Sequence, residues 1–437
     1  MLEKTGRLPK VLLAFLLIGL AAPVAEAGEG APVGRTQSFW LHLNSTPVSD
    51  ATIEIEAKRR AHIVLNAWEG DLLKKLKAVN PKVKVYVYKD LSSTRSYACK
   101  RGKDDEHLPA GLGYCDVRKN HPEWFLEDSR GNELSYSGYE GHWQMDIGNP
   151  EYRKAWVNNV VATSKSTGFD GVFVDNALYT CDAYHPGVCP AKYPDNASFQ
   201  AAYKGMLAEM RCGFAAAGLL SVGNLTNARL QAGGWDAYGA YLDGAFDEWW
   251  LAFSSARLLE DYPEGWRRQV AEIAVNEANN KMTWVQPHFD AGDSKAFRYA
   301  LASLFMTTSG HAAIAEIAKT DGYGDPTPWH PEYDWHLGHP VGAYRAVASK
   351  VFRRDFTCGL ALVNANPTGS PAVKVPLHRA YQDHEGKTVT SVSLPGTTGV
   401  LLRANCPATP SGSLLPPELL PPDLLPPDLL PPQFPRP

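Results

Sequence analysis

The chain has 437 residues, of which 44% are hydrophobic, so it is long enough for a large barrel domain and a smaller module. Its formal net charge of −4 does not favour a nucleic acid as the partner. The seven cysteines have no zinc-type spacing, and the chain has neither a phosphate-binding loop nor a dinucleotide fingerprint, so we predict neither a metal site nor a cofactor.

The first 27 residues have the pattern of a secretory signal peptide. Lys4, Arg7 and Lys10 precede an apolar run over residues 11–22, and the Ala-Glu-Ala segment at 25–27 matches a cleavage site. We therefore expect a protein that is secreted, extracellular or periplasmic, and that has no membrane span after cleavage. The alternative is an uncleaved anchor, for which the apolar run is short.

Secretion would allow the cysteines to form disulfides. One cysteine, Cys212, lies in a predicted helix and is expected to be a buried free thiol. The plausible pairings are Cys99 with Cys115, Cys181 with Cys189, and Cys358 with Cys406.

Short apolar strands alternate with helices over residues 28–349, a pattern that indicates a parallel sheet covered on both faces. The predicted strands are 39–44, 62–66, 83–90, 171–175, 219–224, 244–248, 282–286 and 312–316, and the predicted helices are 71–80, 150–167, 198–217, 264–279 and 293–308. Eight strands with intervening helices predict a (β/α)8 TIM barrel of the α/β class. Residues 45–60 are predicted to form only a short, charged connection.

The pattern changes after the barrel. Residues 350–406 contain four predicted strands between Gly, Pro, Asn and Asp turns, which indicates a small all-β module. The predicted strands of this module are 360–364, 373–377, 388–394 and 399–403. Within residues 407–437, the segment 414–432 repeats Leu-Leu-Pro-Pro with an acid after each of the first three units, so we predict a disordered, exposed extension.

Two segments of the barrel repeat one pattern. Residues 169–175 (FDGVFVD) and 242–248 (LDGAFDE) both read apolar, Asp, Gly, apolar, Phe, any residue, carboxylate. Because side chains alternate along a strand, the last acid of each segment shares a face with its Phe. Strands 4 and 6 of a barrel contribute to the same layer, so we expect Asp175 and Glu248 to face each other at the mouth. Hydrolysis of a glycosidic bond requires two such carboxyl groups.

We predict Asp175 as the nucleophile or base and Glu248 as the general acid of a retaining, covalent route. Asp247 is one residue out of phase with Glu248 and should point toward the helix layer or a neighbouring loop; it is the alternative acid. Asp170 and Asp243 begin their strands at the bottom of the barrel, where turn or capping roles are expected.

Other residues near the strand ends are predicted to bind the sugar, through its hydroxyls or its apolar CH faces. They are Tyr88, Asp90, Trp143, Asp146, Asn176, Asn224, Trp249, Gln286, His288 and Glu316. Asp146 could equally fix its loop, and Glu316 could form an ion pair with Arg298 or Lys319. Strands 5 and 7 end without the acids of an α-amylase-like arrangement, which disfavours that arrangement.

Three segments resemble a known family: 121–132 (HPEWFLEDSRGN), 145–153 (MDIGNPEYR) and 168–176 (GFDGVFVDN). In this order they resemble the barrels of hypothetical glycosyl hydrolase family 15 and, more distantly, the endo-α-1,4-polygalactosaminidase barrels, over about residues 35–405. The resemblance implies a glycoside hydrolase in which the acids ending strands 4 and 6, here Asp175 and Glu248, are the catalytic pair. The chain departs from the family by offering Asp247 beside Glu248.

The sequence thus predicts a secreted glycoside hydrolase that cleaves a poly- or oligosaccharide with two carboxylates. The expected partner is the carbohydrate substrate. Two alternatives remain, namely a non-catalytic glycan-binding barrel and a cell-wall or matrix interaction protein that uses the tail and the β module.

Overall fold

The structure, a computed structural model, describes residues 34–318 and 322–405. The predicted signal peptide, Lys319, Cys406 and the Pro/Leu-rich tail therefore lie outside the described residues. Within the described ranges, an α/β barrel is followed by an antiparallel sheet.

Eight parallel strands form the barrel in chain order. They are β1 (Phe39–His42), β2 (His62–Leu65), β3 (Lys84–Asp90), β4 (Gly171–Asp175), β5 (Leu220–Asn224), β6 (Gly244–Asp247), β7 (Met282–Val285) and β8 (Ala312–Ile314). The first and last strands meet where the Ile314 N–H donates to the Gln37 carbonyl at 3.0 Å. The predicted (β/α)8 barrel is confirmed, and each strand lies within its predicted segment.

Helices lie outside the barrel after each of the first seven strands. They are α1 (Asp50–Arg59), α2 (Gly70–Val79), α3 (Tyr114–Asn120), α4 (Pro150–Thr167), α5 (Asn196–Ala217), α6 (Thr226–Arg229), α7 (Gly234–Gly239), α8 (Trp266–Ala278) and α9 (Ser294–Leu304). The prediction of a short connection over 45–60 is wrong, because α1 occupies it. The Ser49 hydroxyl caps α1, and only Ile53, Glu56 and Ala57 are buried, so the charged residues concealed the helical period.

The stagger of the strands brings the two repeated segments to equal height. In the hydrogen-bond register, Phe173 of β4 pairs with Val222 of β5, and Val222 pairs with Gly244 of β6. The Phe of the second repeated segment is Phe246, so in this register the two segments are offset by two residues. A barrel of eight strands with a shear of eight shifts by about one residue per strand, which cancels this offset. The rings of Phe173 and Phe246 accordingly meet at 5.3 Å between centroids. The acids that end both segments therefore reach the mouth together.

The acids at the starts of β4 and β6 hold the strands that precede them in the sheet. Asp170 accepts a hydrogen bond from the Val85 N–H at 2.8 Å and forms an ion pair with Lys77. Asp243 accepts from the Ser221 N–H, also at 2.8 Å. Both acids lie at the bottom of the barrel, where the sequence predicts turn or capping roles.

The chain continues into a six-stranded antiparallel sheet. Its strands are β9 (Arg345–Ala348), β10 (Val351–Phe356), β11 (Gly359–Asn364), β12 (Val373–Gln382), β13 (Thr388–Leu394) and β14 (Thr398–Arg403), in the order β9-β10-β11-β14-β12-β13. The sequence analysis did not predict β9 and β10. At Gly399 in β14, a Cβ atom would lie 2.7 Å from the Ala302 Cβ of α9, so only glycine allows this close approach. The sheet and the barrel thus share one hydrophobic cluster.

Two of the expected disulfides are present, Cys99–Cys115 and Cys181–Cys189. The third expected pairing includes Cys406, outside the described residues. The prediction of a buried thiol at Cys212 is wrong, because this residue lies on the exposed face of α5. Over the described ranges, the helices are too short or too polar to cross a bilayer.

Candidate active site

A pocket of about 740 Å³ opens at the C-terminal ends of the barrel strands. Asp175, Asn224 and Glu248 line it, together with side chains from the loops that follow β2, β3, β4 and β8. The pocket occupies the end of a (β/α)8 barrel at which active sites are built.

One amide joins the two predicted acids. The Asn224 Nδ2 donates to Asp175 Oδ1 at 3.1 Å and to Glu248 Oε2 at 3.0 Å. The Asn224 Oδ1 accepts from the Thr226 N–H at 3.2 Å, which fixes the orientation of the amide. The structure therefore brings Asp175 and Glu248 together, as the repeated segments predict.

A tyrosine hydroxyl binds each acid on its other oxygen. Tyr88 donates to Asp175 Oδ2 at 2.6 Å, and Tyr323 donates to Glu248 Oε1. Burial, the Glu248 charge and the Asp90 charge raise the pKa of Asp175 to about 6. Burial and the neighbouring carboxylates also raise the pKa of both tyrosines, so both hydroxyls keep their protons and act as donors.

A buried network holds Asp175 from behind. Asp90 is fully buried, pairs with Arg95 at 2.7 Å and accepts from the Ser93 N–H at 2.8 Å. Its carboxylate also accepts from the side chain of Asn176, whose own oxygen accepts from the Tyr184 hydroxyl. Asp90 therefore does not line the pocket, contrary to its predicted sugar-binding role, because its oxygens are occupied inside the protein. Asn176 lines the pocket, but its side chain is part of this network.

Two other predicted sugar-binding residues support Glu248 instead of lining the pocket. The His288 Nε2 donates to the Glu248 carbonyl at 2.6 Å, and the imidazole stacks on Trp249 at 3.6 Å between ring centroids. Burial lowers the pKa of His288 to about 4, so the ring is neutral near pH 7. The Glu248 N–H donates to the Thr226 hydroxyl at 2.7 Å, which completes the backbone support.

Asp247 lies on the opposite side of the strand from Glu248, as its phase predicts. It is fully buried, and Arg229 donates to its Oδ1 at 2.7 Å. Glu272 lies beside it, and burial raises the pKa of both carboxyl groups, with the Arg229 charge opposing this in each case. Asp247 does not reach the pocket, so its position does not suit the alternative acid.

Four further predicted residues lie away from the pocket. Asp146 accepts from Lys192 and Tyr193, which is the loop-fixing alternative. Glu316 pairs with His330 and Tyr333, not with Arg298. The remaining two are Trp143, which packs among Tyr114 and Arg118, and Gln286, which is buried behind β7.

Several pocket residues have no signal in the strand pattern because they lie in the loops that follow the strands. Trp68, Tyr97 and Tyr139 are 46%, 55% and 52% exposed, and the fourth strongly exposed aromatic side chain of the described ranges, Tyr262, lies elsewhere. Further pocket residues that the sequence analysis did not select include Arg95, His142, Tyr184 and Tyr323. Most of them lie in the long connections after β3, β4 and β8, and the length of these connections is the one signal that the sequence offers for them.

Within residues 34–318 and 322–405, the one cluster of three potential metal ligands is Cys99, Asp104 and Cys115. Both of these cysteines are in a disulfide, so they offer no thiolate.

An acid pair at the mouth of a (β/α)8 barrel is typical of glycoside hydrolases. Residues 77–360 match the family described as Hypothetical glycosyl hydrolase family 15. The match spans more than half of the chain, so the protein belongs to this glycoside hydrolase family. No curated protein matches the chain.

Several solved structures are similar to the chain at low sequence identity. An α-amylase from Lactobacillus plantarum has a TM-score of 0.50 and 11% identity, with 85% of this chain and 99% of that chain covered. The glycoside hydrolase domain of PelA from Pseudomonas aeruginosa has a TM-score of 0.41 and 13% identity, with 69% and 96% covered. Aspergillus fumigatus Ega3, in complex with galactosamine, has a TM-score of 0.40 and 12% identity, with 69% and 97% covered. The α-amylase similarity concerns the fold alone.

Replacing Asp90 by Asn should destabilise the protein, although Asp90 itself does not line the pocket. The change leaves Arg95 buried without its carboxylate, which typically costs about 3–5 kcal/mol of unfolding free energy. Denaturant titration of the single variant and of the double variant Asp90→Asn/Arg95→Met measures this, and the double variant should recover part of the loss. A loss below about 1 kcal/mol in the single variant would contradict the bracing role.

Proposed function

We propose that the protein hydrolyses a glycosidic bond with Asp175 and Glu248 as its two catalytic carboxyl groups. The observation that carries this proposal is the Asn224 amide, which binds both carboxylates inside one pocket at the mouth of the barrel. Family membership supports glycan hydrolysis as the reaction class. The leader-like N-terminal sequence and the two disulfides support secretion.

The spacing of the acids supports a retaining reaction. Asp175 Oδ1 and Glu248 Oε2 lie 3.1 and 3.0 Å from the same nitrogen, so these two oxygens are at most about 6 Å apart. Retaining enzymes separate the carboxyl groups by about 5–5.5 Å, and inverting enzymes by about 6.5–9.5 Å, to admit a water molecule. The shared amide leaves little room for such a water molecule between the acids.

The hydrogen bonds support Asp175 as the nucleophile. Its two oxygens accept three donors, from Tyr88, Asn224 and the Asn176 N–H, which favour and orient the ionised form. Asp175 would attack the anomeric carbon, while Glu248 transfers its proton to the departing glycosidic oxygen. Water then cleaves the covalent intermediate, with Glu248 removing its proton.

The exposed aromatic side chains support a saccharide chain as the substrate. Trp68, Tyr97 and Tyr139 line the pocket and offer ring faces on which sugar rings can stack. The Trp68 indole N–H donates to the Ser45 hydroxyl at 2.9 Å, which holds this ring in place. Trp68 and Tyr97 come from the loops after β2 and β3, so they extend the pocket away from the acids on one side of the barrel.

Asp175→Asn and Glu248→Gln should each lower kcat by about 10²–10⁴-fold, because each removes one of the two carboxyl functions. Reducing-sugar release from a panel of polysaccharides by the purified protein measures this. Asp105→Asn is the matched control, since Asp105 lines the same pocket but pairs with Lys100, and it should keep near-normal activity. If the protein binds glycans but neither the unmodified chain nor the variants cleave any, it is a glycan-binding barrel and the proposal fails.

The pH profile should report the ionisation of Asp175. Because the nucleophile must be ionised and its pKa is raised to about 6, kcat/KM should fall about tenfold per pH unit below that value. Tyr88→Phe removes a hydrogen bond that lowers the pKa of Asp175, so it should move the acidic limb to higher pH. An activity that instead declines as the pH rises through 6 would reverse the roles of the two acids.

Trp68→Ala should weaken the cleavage of long chains more than that of short ones. Loss of one stacking platform costs about 1–2 kcal/mol, so kcat/KM for a long oligosaccharide should fall about 5- to 30-fold. Tyr262→Ala, at an exposed aromatic residue outside the pocket, is the control and should have no effect. An equal loss on a disaccharide-sized substrate and on a long chain would rule out the platform.

A further inference from the structure

A second large cavity, of about 750 Å³, lies at the opposite end of the barrel from the acid pair. Its lining includes His62, Lys84 and Met282, which begin β2, β3 and β7. The cavity exists because no α-helix follows β8 in the described residues. The segment between β8 and β9 contains one 3₁₀ turn, Pro331–Asp334, and Trp329, just before this turn, forms part of the cavity wall.

The lining of this cavity is strongly basic. The arginine and lysine residues in it are Arg35, Lys58, Arg59, Arg60, Lys82 and Lys84, whereas Asp334 is the single carboxylate among the described lining residues. The Asp334 carboxylate accepts from the Trp329 indole N–H at 3.1 Å. A concave surface lined by one sign of charge concentrates ions of the opposite sign. The net charge of −4 for the whole chain gives no sign of this local excess.

Several of these cations are held in place without being neutralised. The Arg59 guanidinium lies over the Trp329 ring at 5.2 Å from its centroid. Among the described residues, no carboxylate pairs with Arg35, Arg59 or Lys84, while Lys58 pairs with Glu54 on the outer face of α1. Arg60 pairs with Glu56 inside the protein and contacts Trp329 from its buried side. Arg35, Arg59 and Lys84 thus carry positive charge that no carboxylate of the described residues neutralises, and all three line the cavity.

Neutral polar groups accompany these cations. The Thr36 hydroxyl is buried in the lining and has no hydrogen-bond partner among the described residues. His62 lies on the cavity floor, where burial and the Lys84 charge lower its pKa to about 3, so its ring is neutral at ordinary pH. Such groups can hydrogen-bond a ligand without adding charge.

We propose that this cavity is a binding site for a ligand with two or more anionic groups, carboxylate, sulfate or phosphate, and that it is separate from the active site. Arg35 and Arg59 supply forked N–H donors suited to the paired oxygens of such groups, and Lys84 supplies a third charge. The cavity volume is that of sites for ligands of several rings or linked groups, so it exceeds what a single inorganic ion fills. An acidic oligosaccharide and a linear polyphosphate share this chemistry.

Calorimetric titration of the full chain with tripolyphosphate and with an oligogalacturonate distinguishes the two sources of anionic groups. Saturable binding of either probe is expected, with an affinity that falls as salt is added. The triple variant Arg35→Gln/Arg59→Gln/Lys84→Gln should bind at least about 10-fold more weakly. The control variant Lys119→Gln/Lys154→Gln/Lys165→Gln removes the same charge from exposed residues elsewhere and should bind within about 3-fold of the unmodified chain.

Glycan hydrolysis should be unchanged in the cavity variant, since the catalytic acids lie at the other end of the barrel. Equal weakening in both triple variants, or no binding of either probe, would overturn the proposal. To test the chain's own acidic repeats as an alternative occupant, the full-length variant Glu418→Gln/Asp423→Asn/Asp428→Asn is titrated as well. If it binds the probes about 10-fold more tightly, the cavity serves those repeats and not an external ligand.

Discussion

The whole site depends on keeping two carboxyl groups close together at the mouth of a barrel. Two carboxylates repel each other more strongly when they are removed from water, and the pair persists because the Asn224 amide donates to both. A tyrosine hydroxyl on each outer oxygen adds to this stabilisation. Burial and the nearby Glu248 and Asp90 charges still raise the pKa of Asp175, to about 6.

Each carboxylate is supported by residues that do not line the pocket. Asp90 lies behind Asp175 with its oxygens fully occupied, and it orients Asn176, which adopts a left-handed backbone conformation with a φ of 61°. His288 and Thr226 hold the backbone of Glu248 in the same way. The proposed catalytic role of the pair requires such supports, because small displacements of reacting groups cost much of the rate.

The segment after β8 shapes both ends of the barrel. Its Tyr323 reaches the mouth and donates to Glu248, and further along the chain its Trp329 forms a wall of the basic cavity at the base. A helix in this position would have covered the base of the barrel, as helices cover the outside of the other strands. The absence of an α-helix in the described part of this segment therefore links the geometry of the acid pair to the existence of the second cavity.

The sequence by itself determined the barrel, its eight strands and the two acids, because strand periodicity and the repeated apolar-Asp-Gly pattern depend only on neighbouring residues. It could not reveal α1, whose charged residues concealed a buried face of three positions, or the roles of Asp90, His288 and Trp249, whose partners are distant in the chain. Tyr323 and the exposed aromatic platforms lie in loops without periodicity, so their convergence on one pocket was decided by tertiary structure alone. Tertiary structure also decided the basic cavity, because its lining residues come from both the first and the last parts of the barrel sequence. Composition reports the net charge of the whole chain and cannot show that basic residues distant in the sequence lie together in the fold.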